Sequence, residues 1–519
     1  MEPTPSSVRC AAASGRGVPS VGQLERAQTD VTQIYFSDFA QIPPEVIEEY
    51  GAFDVSLIND LPLFVDPFLL FNSENPQYQE LHAEIIRYMR FLKQRTLAGP
   101  ISEHLVDAWF AFREVKQNWL GFSKTGNQGH GLGRDFARAL HRNFTAVFRN
   151  FGEETLTRSS HLEKLCLVRD GVGRDTISDF TTNLSKHYLA EYSQTFALRY
   201  LLDRFRRNVA VPKARFNYET LSWVTRTFEL PFVRGDFVLL TPKDILTKDE
   251  AWINRPELID RFVDIADALP DTVLRAQVNE YLTQVLPVEE DARKEEIREV
   301  IAGAIEKFPQ VLDYYIKDKE AHGDEAASVS KARVKLAEAR FVQHVRRFVQ
   351  EHLDPGGFYR IPGDSYDEAK RRLLFLKDAI ENKGGHRIFY VDGKPLEREA
   401  DLQILYRLTW FATPSDVSRE VNDGRGPADF KISRGAVDKS LVEFKLAKNT
   451  QLERNLEKQA EIYEKASDAT HPSLKAILYF SEDQLQRVLS ILKRLGLKGS
   501  PHVVLIDASS ENKPSGSKA

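Results

Sequence analysis

In the last third of the chain, two charged residues alternate with apolar ones inside a short strand-like run. In Leu441-Val-Glu-Phe-Lys-Leu446, Val442, Phe444 and Leu446 fall on one face, and Glu443 and Lys445 fall on the other. Asp429 sits on a preceding strand, Ala428 to Ser433, just after Gly424-Arg-Gly-Pro427. If the two strands pair through the turn at Gly435, Asp429 and Glu443 approach each other near the middle of a sheet. Carboxylates that close repel unless a cation lies between them. Oxygen ligands without Cys or His beside them select Mg²⁺, with Mn²⁺ as the alternative, over zinc. Lys445, on the same face, can orient a water or stabilise a pentacovalent phosphate. Together these residue types suit metal-assisted phosphodiester hydrolysis. A Glu-x-Lys pair alone is common on the face of an ordinary surface hairpin, so the surrounding elements decide.

Those elements read as a small α/β domain over residues 355–508. Leu402, Leu405, Leu408 and Phe411 recur at helical spacing in a helix from Leu396 to Phe411, and Pro414 stops its continuation. Two strands follow, then a helix from the capping box Thr450-Gln-Leu-Glu453 to Ser467. Leu452, Leu456, Gln459 and Tyr463 share a face of that helix, and the two leucines are expected to anchor it to the sheet. Strand Lys475 to Phe480, helix Glu482 to Leu495 and strand His502 to Ile506 complete the order.

Asp429, Glu443 and Lys445 resemble the Asp…Glu-x-Lys motif of the PD-(D/E)xK nuclease superfamily, which has the restriction-endonuclease-like fold. Gln459 and Tyr463, one helical turn apart after the Glu-x-Lys strand, resemble the extra motif of RecB-like nucleases. The similarity covers Leu396 to Ile506, about a fifth of the chain. Ala428 precedes Asp429, with Pro427 one place earlier, so the family's Pro-Asp pair is not literal. The resemblance implies a Mg²⁺-dependent nuclease acting on nucleic acid, DNA first. It implies that Asp429, Glu443 and the Phe444 carbonyl hold the metal and that Lys445 activates or orients water. It also implies that Gln459 and Tyr463 help hold the site and the DNA backbone. Glu399 is the best match for a further acid, with Glu397 and Asp401 as rivals. Lys448 reads more simply as an exposed loop lysine than as a DNA contact.

The other blocks are less legible. Residues 1–30 and 509–519 read as a disordered leader and tail, since the leader is rich in Pro, Ser, Gly and Ala and lacks an apolar signal core. Residues 31–287 read as a mostly helical α+β domain that senses a target, an inhibitor or a partner. Helices are expected at Tyr78 to Leu97, Leu105 to Trp119, Arg134 to Phe151 and Phe180 to Arg207, with a strand at Phe237 to Leu240. Asp54, Asp60, Asp66, Asp175 and Asp179 read as turn and N-cap residues rather than as a second acidic site. The loop Gly121 to Gly133 lacks the Gly-Lys-Ser/Thr ending of a phosphate-cradling loop. Residues 288–354 read as a charged helical connector. Its basic run, Lys331 to Gln350, is a solvated face, or else a phosphate-facing helix beside the next domain.

Composition sets outer bounds. The 519 residues, 42% hydrophobic and 28% charged, exclude a mostly disordered chain. A net charge of −5 excludes a globally basic nucleic-acid binder, so any such contact is local. Two cysteines exclude a disulfide framework and fit a cytoplasmic protein, and no apolar run is long enough to span a bilayer. A homo-oligomer or a protein partner through the N-terminal block stays open. Two rival readings remain: an inactive nucleic-acid-binding or scaffold protein with a nuclease-like fold, and a repair or recombination nuclease served by a separate motor.

Overall fold

The structure is a computed structural model. It describes residues 33–112, 114–121, 137–138, 141, 151–168, 173–248, 250–285, 294–355, 363–396, 398–410, 416–422, 427–433, 438–457, 471–510 and 513. It is a mixed helix and sheet protein whose N-terminal region is largely helical. The glycine loop after Gly121 and most of the helix expected at Arg134 to Phe151 lie outside the described residues.

In the N-terminal block, strand β1 (Leu63–Val65) precedes helix α1 (Pro76–Leu97), which Asn75 caps by accepting from Gln77 N. Helices α2 (Arg174–Leu184) and α3 (Lys186–Tyr200) follow. They lead into a long antiparallel hairpin of β2 (Arg206–Asn217) and β3 (Ser222–Val233). This hairpin is not announced by the sequence. Its strands are exposed along much of one face, so the apolar alternation is weak. Two expected elements are shorter than read. The helix from Leu105 is confined to Glu103–Phe110, and of Phe237 to Leu240 only Phe237 belongs to a strand. β4 (Leu246–Lys248) pairs antiparallel with β1.

The connector contains helix α4 (Gly323–Glu338), which runs on through π-helical turns at Ala339–His344 and Val349–Leu353. Wide turns inside a helix often mark functional or strained segments. Its basic run is divided: Lys331, Lys335 and Arg347 are exposed, as on a solvated face, whereas Arg340 and Arg346 turn to acids. Arg346 pairs with Asp38 at 3.2 Å and Asp54 at 3.1 Å, and Arg340 pairs with Asp401.

The C-terminal block opens with a helix that the sequence reading missed, α5 (Ser365–Asn382). Its buried face includes Glu368 and Arg372, ion-paired at 2.8 Å, and these charges hide the apolar period. After α6 (Glu399–Thr409) come β5 (Asp416–Asn422), β6 (Pro427–Ser433), β7 (Lys439–Leu446), β8 (Leu474–Tyr479), α7 (Glu482–Arg494) and β9 (Val503–Asp507). They form a five-stranded sheet in the order β9-β8-β7-β6-β5. β7, β8 and β9 run parallel, while β6 and β5 join antiparallel. The edge strand β5 was also missed, its polar sequence carrying little strand signal.

Helices cover both faces of this sheet. Phe444, Ala476, Leu478, Val504 and Ile506 share a core with residues of α5 and α6. On the other face, Ile477, Val503 and Leu505 pack with Leu452, Leu456 and residues of α7. Leu452 and Leu456 thus anchor their helix as expected, although it is described only over residues 452–457. The helix is entered through a turn in which the Asn449 side chain accepts from Gln451 N at 2.8 Å, and helical residues start at Leu452.

Candidate functional site

β6 and β7 pair with Val442 opposite Phe430, and continuing that register by one residue sets Asp429 opposite Glu443. The parallel partner β8 sets Lys475 opposite Glu443. Asp429, Glu443 and Lys445 are all buried, at 6%, 5% and 6% exposure, so this is not a solvated hairpin face. Phe444 points the other way and packs its ring 4.1 Å from that of Tyr406 on α6. That contact brings α6 against β7 and fixes where its acidic first turn arrives.

The centre of the cluster is the Lys445 ammonium. Its Nζ lies 2.8 Å from Glu399 Oε1, 3.2 Å from Asp429 Oδ2 and 3.5 Å from Glu443 Oε2. One cation therefore meets three carboxylates, from the helix and two adjacent strands. Burial alone would lower the amine, but Asp429, Glu443 and Glu399 outweigh it and hold Lys445 above its ordinary range. Burial raises the Asp429 carboxyl, with Lys445 opposing and Glu399 adding. Burial and then the Asp429 charge push Glu443 up to about 7.

Asp429 is the best-held member. It accepts from Phe444 N at 2.6 Å and from Gln403 Nε2 at 2.8 Å, besides Lys445. Glu443 is the least satisfied, because its Oε1 is buried with no hydrogen-bond partner among the described residues. An orphaned carboxylate oxygen at that depth is costly unless a cation or donor reaches it.

Among the rivals for the helix acid, Glu399 is the one that joins the cluster. Asp401, two residues on, pairs instead with Lys248 at 3.5 Å and with Arg340. Glu397 lies outside the described residues, as do Gln459 and Tyr463. Phe444 enters through its backbone N–H. Lys448 is exposed, as expected of a loop lysine.

Three contributors escaped sequence reading. Gln403 is four residues after Glu399 on α6, so helical spacing alone places it on the same face. Asn449 Nδ2 donates to Glu399 Oε2 at 3.3 Å. Lys475 is buried, with its Nζ 2.9 Å from Ser473 Oγ, and it favours the charged form of Glu443. Its position on the face of Glu443 follows once β8 is placed beside β7.

The aspartates of the N-terminal block divide into two groups. Asp66 is an N-cap, accepting from Phe68 N at 3.0 Å, and Asp54 accepts from Ser37 N at 3.0 Å. Asp60, Asp175 and Asp179 are not turn or cap residues. Both Asp60 carboxylate oxygens are buried with no hydrogen-bond partner among the described residues. Burial first, then Glu114, Asp175 and Asp179, push the Asp60 carboxyl well up. Asp175 and Asp179 lie within α2, which starts after Gly173.

Two stretches of the chain are similar to family models, each described as a domain of unknown function. The first (DUF8370) matches residues 41–254, and the second (DUF8371) matches residues 365–482. The second stretch contains Glu399, Gln403, Asp429, Glu443 and Lys445. No curated protein and no solved structure matches the chain. Among the described residues, no helix is long and apolar enough to cross a membrane.

Proposed function

We propose that the chain is a metal-dependent nuclease whose C-terminal block, with a restriction-endonuclease-like fold, hydrolyses phosphodiester bonds in DNA. The observation that carries this reading is the meeting of Glu399, Asp429 and Glu443 on Lys445 at 2.8–3.5 Å. Two observations favour a divalent ion there: Glu443 Oε1 is buried with no hydrogen-bond partner among the described residues, and the raised Asp429 and Glu443 carboxyls would be relieved by a cation between them. Asp429 and Glu443 would hold Mg²⁺ or Mn²⁺, with Glu399 and the Phe444 carbonyl completing the set. Such an ion would supply a bound water of lowered pKa and stabilise charge on the scissile phosphate.

The remaining roles belong to the chain itself. Gln403 and the Phe444 N–H fix Asp429 in one orientation. The Lys445 ammonium is held ready, on the face of the two carboxylates, to meet negative charge as it develops. The N-terminal block would sense a target or partner in the cytoplasm. Defence against foreign DNA suits that combination of sensor and nuclease.

The non-enzymatic rival, a nucleic-acid-binding or scaffold protein, also has an observation in its favour. All three carboxylates already bond Lys445, and among the described residues no group of three or more His, Cys, Asp or Glu side chains is placed to hold a metal. Incubation of the full chain with plasmid, linear, single-stranded and RNA substrates, in Mg²⁺, Mn²⁺ or EDTA, separates the two. Cleavage of DNA that stops with EDTA and with Glu443→Gln is expected. Absence of cleavage on every substrate, together with no Mn²⁺ binding by calorimetry, would leave the rival standing.

A further inference from the structure

Arg340 and Arg346 of the connector meet acids, but Arg347 is exposed. It lines a cleft of about 190 Å³ where the connector meets the turn that follows α5. One wall is the helical face from His344 to His352, and the other is the segment from Lys383 to Ile388. Two glycines let these walls approach. Gly384 has φ +77°, and a Cβ on Gly385 would lie 2.5 Å from the Phe348 ring and 2.8 Å from the Ala379 carbonyl oxygen. Across the same seam the His344 ring meets the Ile388 backbone.

Three exposed cations line this cleft: Arg347, Lys383 and Arg387. Among the described residues, neither Arg347 nor Arg387 forms an ion pair. Lys383 pairs with Asp378 at 3.0 Å, but both side chains are about half exposed, so that pair is weak. Glu351 is the one acid among the described residues that line the cleft. Burial holds the His344 and His352 imidazoles below their ordinary range, so they add no charge at neutral pH.

Two guanidiniums on opposite walls, without acids of their own, suit the oxygens of a phosphate. All three cations are exposed rather than enclosed. That arrangement fits a charged backbone passing over the seam better than a small molecule sealed within it. With a net charge of −5, the chain can meet such a backbone only through a local patch of this kind.

We infer that the cleft holds a phosphate of a nucleic-acid backbone, gripped by Arg347 from the connector and Arg387 from the C-terminal block, with Lys383 beside them. The inference rests on the reading of nucleic acid as the chain's partner, but not on cleavage.

Binding of a labelled DNA duplex to the full chain in EDTA, followed by fluorescence anisotropy over a range of salt, tests it. Arg347→Ala combined with Arg387→Ala is expected to weaken binding about tenfold or more. It should also lower the slope of log affinity against log salt by about one, the value for a single phosphate contact. Both arginines are exposed, so Tm should not move. Lys331→Ala combined with Lys335→Ala removes the same charge from exposed positions of α4 outside the cleft, and should leave affinity and slope unchanged. The inference is overturned if the parent does not bind the duplex, if the arginine variant binds as the parent does, or if both double variants weaken equally. Calorimetric binding of adenosine monophosphate that needs both arginines, without duplex binding, would make the cleft a small-molecule site and also overturn it. The nuclease reading fails separately. Weakened binding in the arginine variant, with no cleavage by the parent in Mg²⁺ or Mn²⁺, supports the cleft and removes the nuclease, whereas cleavage with unchanged binding does the reverse.

Discussion

Asp429 and Glu443 look equivalent in the sequence, as two acids on one face, but their surroundings separate them. Asp429 binds Gln403, the Phe444 N–H and Lys445, so Asp429→Ala leaves three buried donors short of an acceptor. It is expected to lower Tm as well as abolish cleavage. Glu443 has one oxygen without a partner, and Glu443→Gln removes a charge that repels Asp429. Glu443→Gln is expected to abolish cleavage in Mg²⁺ with Tm unchanged or raised in EDTA, which makes it the cleaner test of chemistry. Lys445→Met should behave in the opposite way. It leaves three carboxylates without their shared cation, a loss on the order of 3 kcal/mol for a buried ion pair. If Asp429 and Glu443 can hold a divalent ion, Mn²⁺ should restore part of the lost Tm in Lys445→Met. No recovery with Mn²⁺ would mean that the lysine, not a metal, is the cation the carboxylates are built for.

Elements differ in how plainly their sequences announce them. β7 was legible because Val442, Phe444 and Leu446 alternate with polar residues, although every residue from Ser440 to Leu446 is buried. The alternation there records two environments, an apolar core and an acidic site, rather than core and solvent. α5 was illegible because an internal Glu368–Arg372 pair occupies its core face, and β5 because it is a polar edge strand. α6 was read from its leucines, yet its polar positions carry the more useful signal. Glu399 and Gln403 face the site at a spacing of four, and Asp401 turns away to Arg340. Gln403→Ala is expected to cost roughly 10–100-fold in activity or metal affinity, because it frees Asp429 from its orienting donor. A cost confined to Tm would make Gln403 a packing residue. On α2, burial, then Asp175 and Glu114, push the half-buried Asp179 up to about 8. Unfolded aspartate ionises near about 4, so the stability of the neutral acid is full below about 4 and is lost as pH rises through about 8. The Tm advantage of Asp179→Asn over the parent should therefore grow from about pH 4 and level off above about pH 8, and a pH-independent difference would remove this assignment.

At the scale of the whole molecule, the three blocks read from composition do not behave as beads on a linker. A single apolar cluster runs from Ile34 through Phe341 and Phe348 to Ile506, so the connector is packed into the same core as both of its neighbours. Charge patterning could not show this, because the connector's arginines resemble a solvated face until their partners are known. Asp401 marks where the junction meets the site. Lys248 reaches it from β4 and Arg340 from the π-helical turn after α4, while Glu399 and Gln403 on the same helix hold Lys445 and Asp429. The position of α6 is thus set from both sides, by the N-terminal block and by the cluster of carboxylates around Lys445. Two consequences follow from that geometry. Calorimetric unfolding of the full chain should show one cooperative transition rather than separate ones for each block. Asp401→Ala, which leaves the buried Lys248 and the half-buried Arg340 without their shared carboxylate, should shift that whole transition downward and reduce cleavage, although Asp401 touches none of the proposed reacting groups. Two resolved transitions, with only one moved by the substitution, would show instead that the blocks unfold independently and that the Asp401 contacts do no more than tether one to the other.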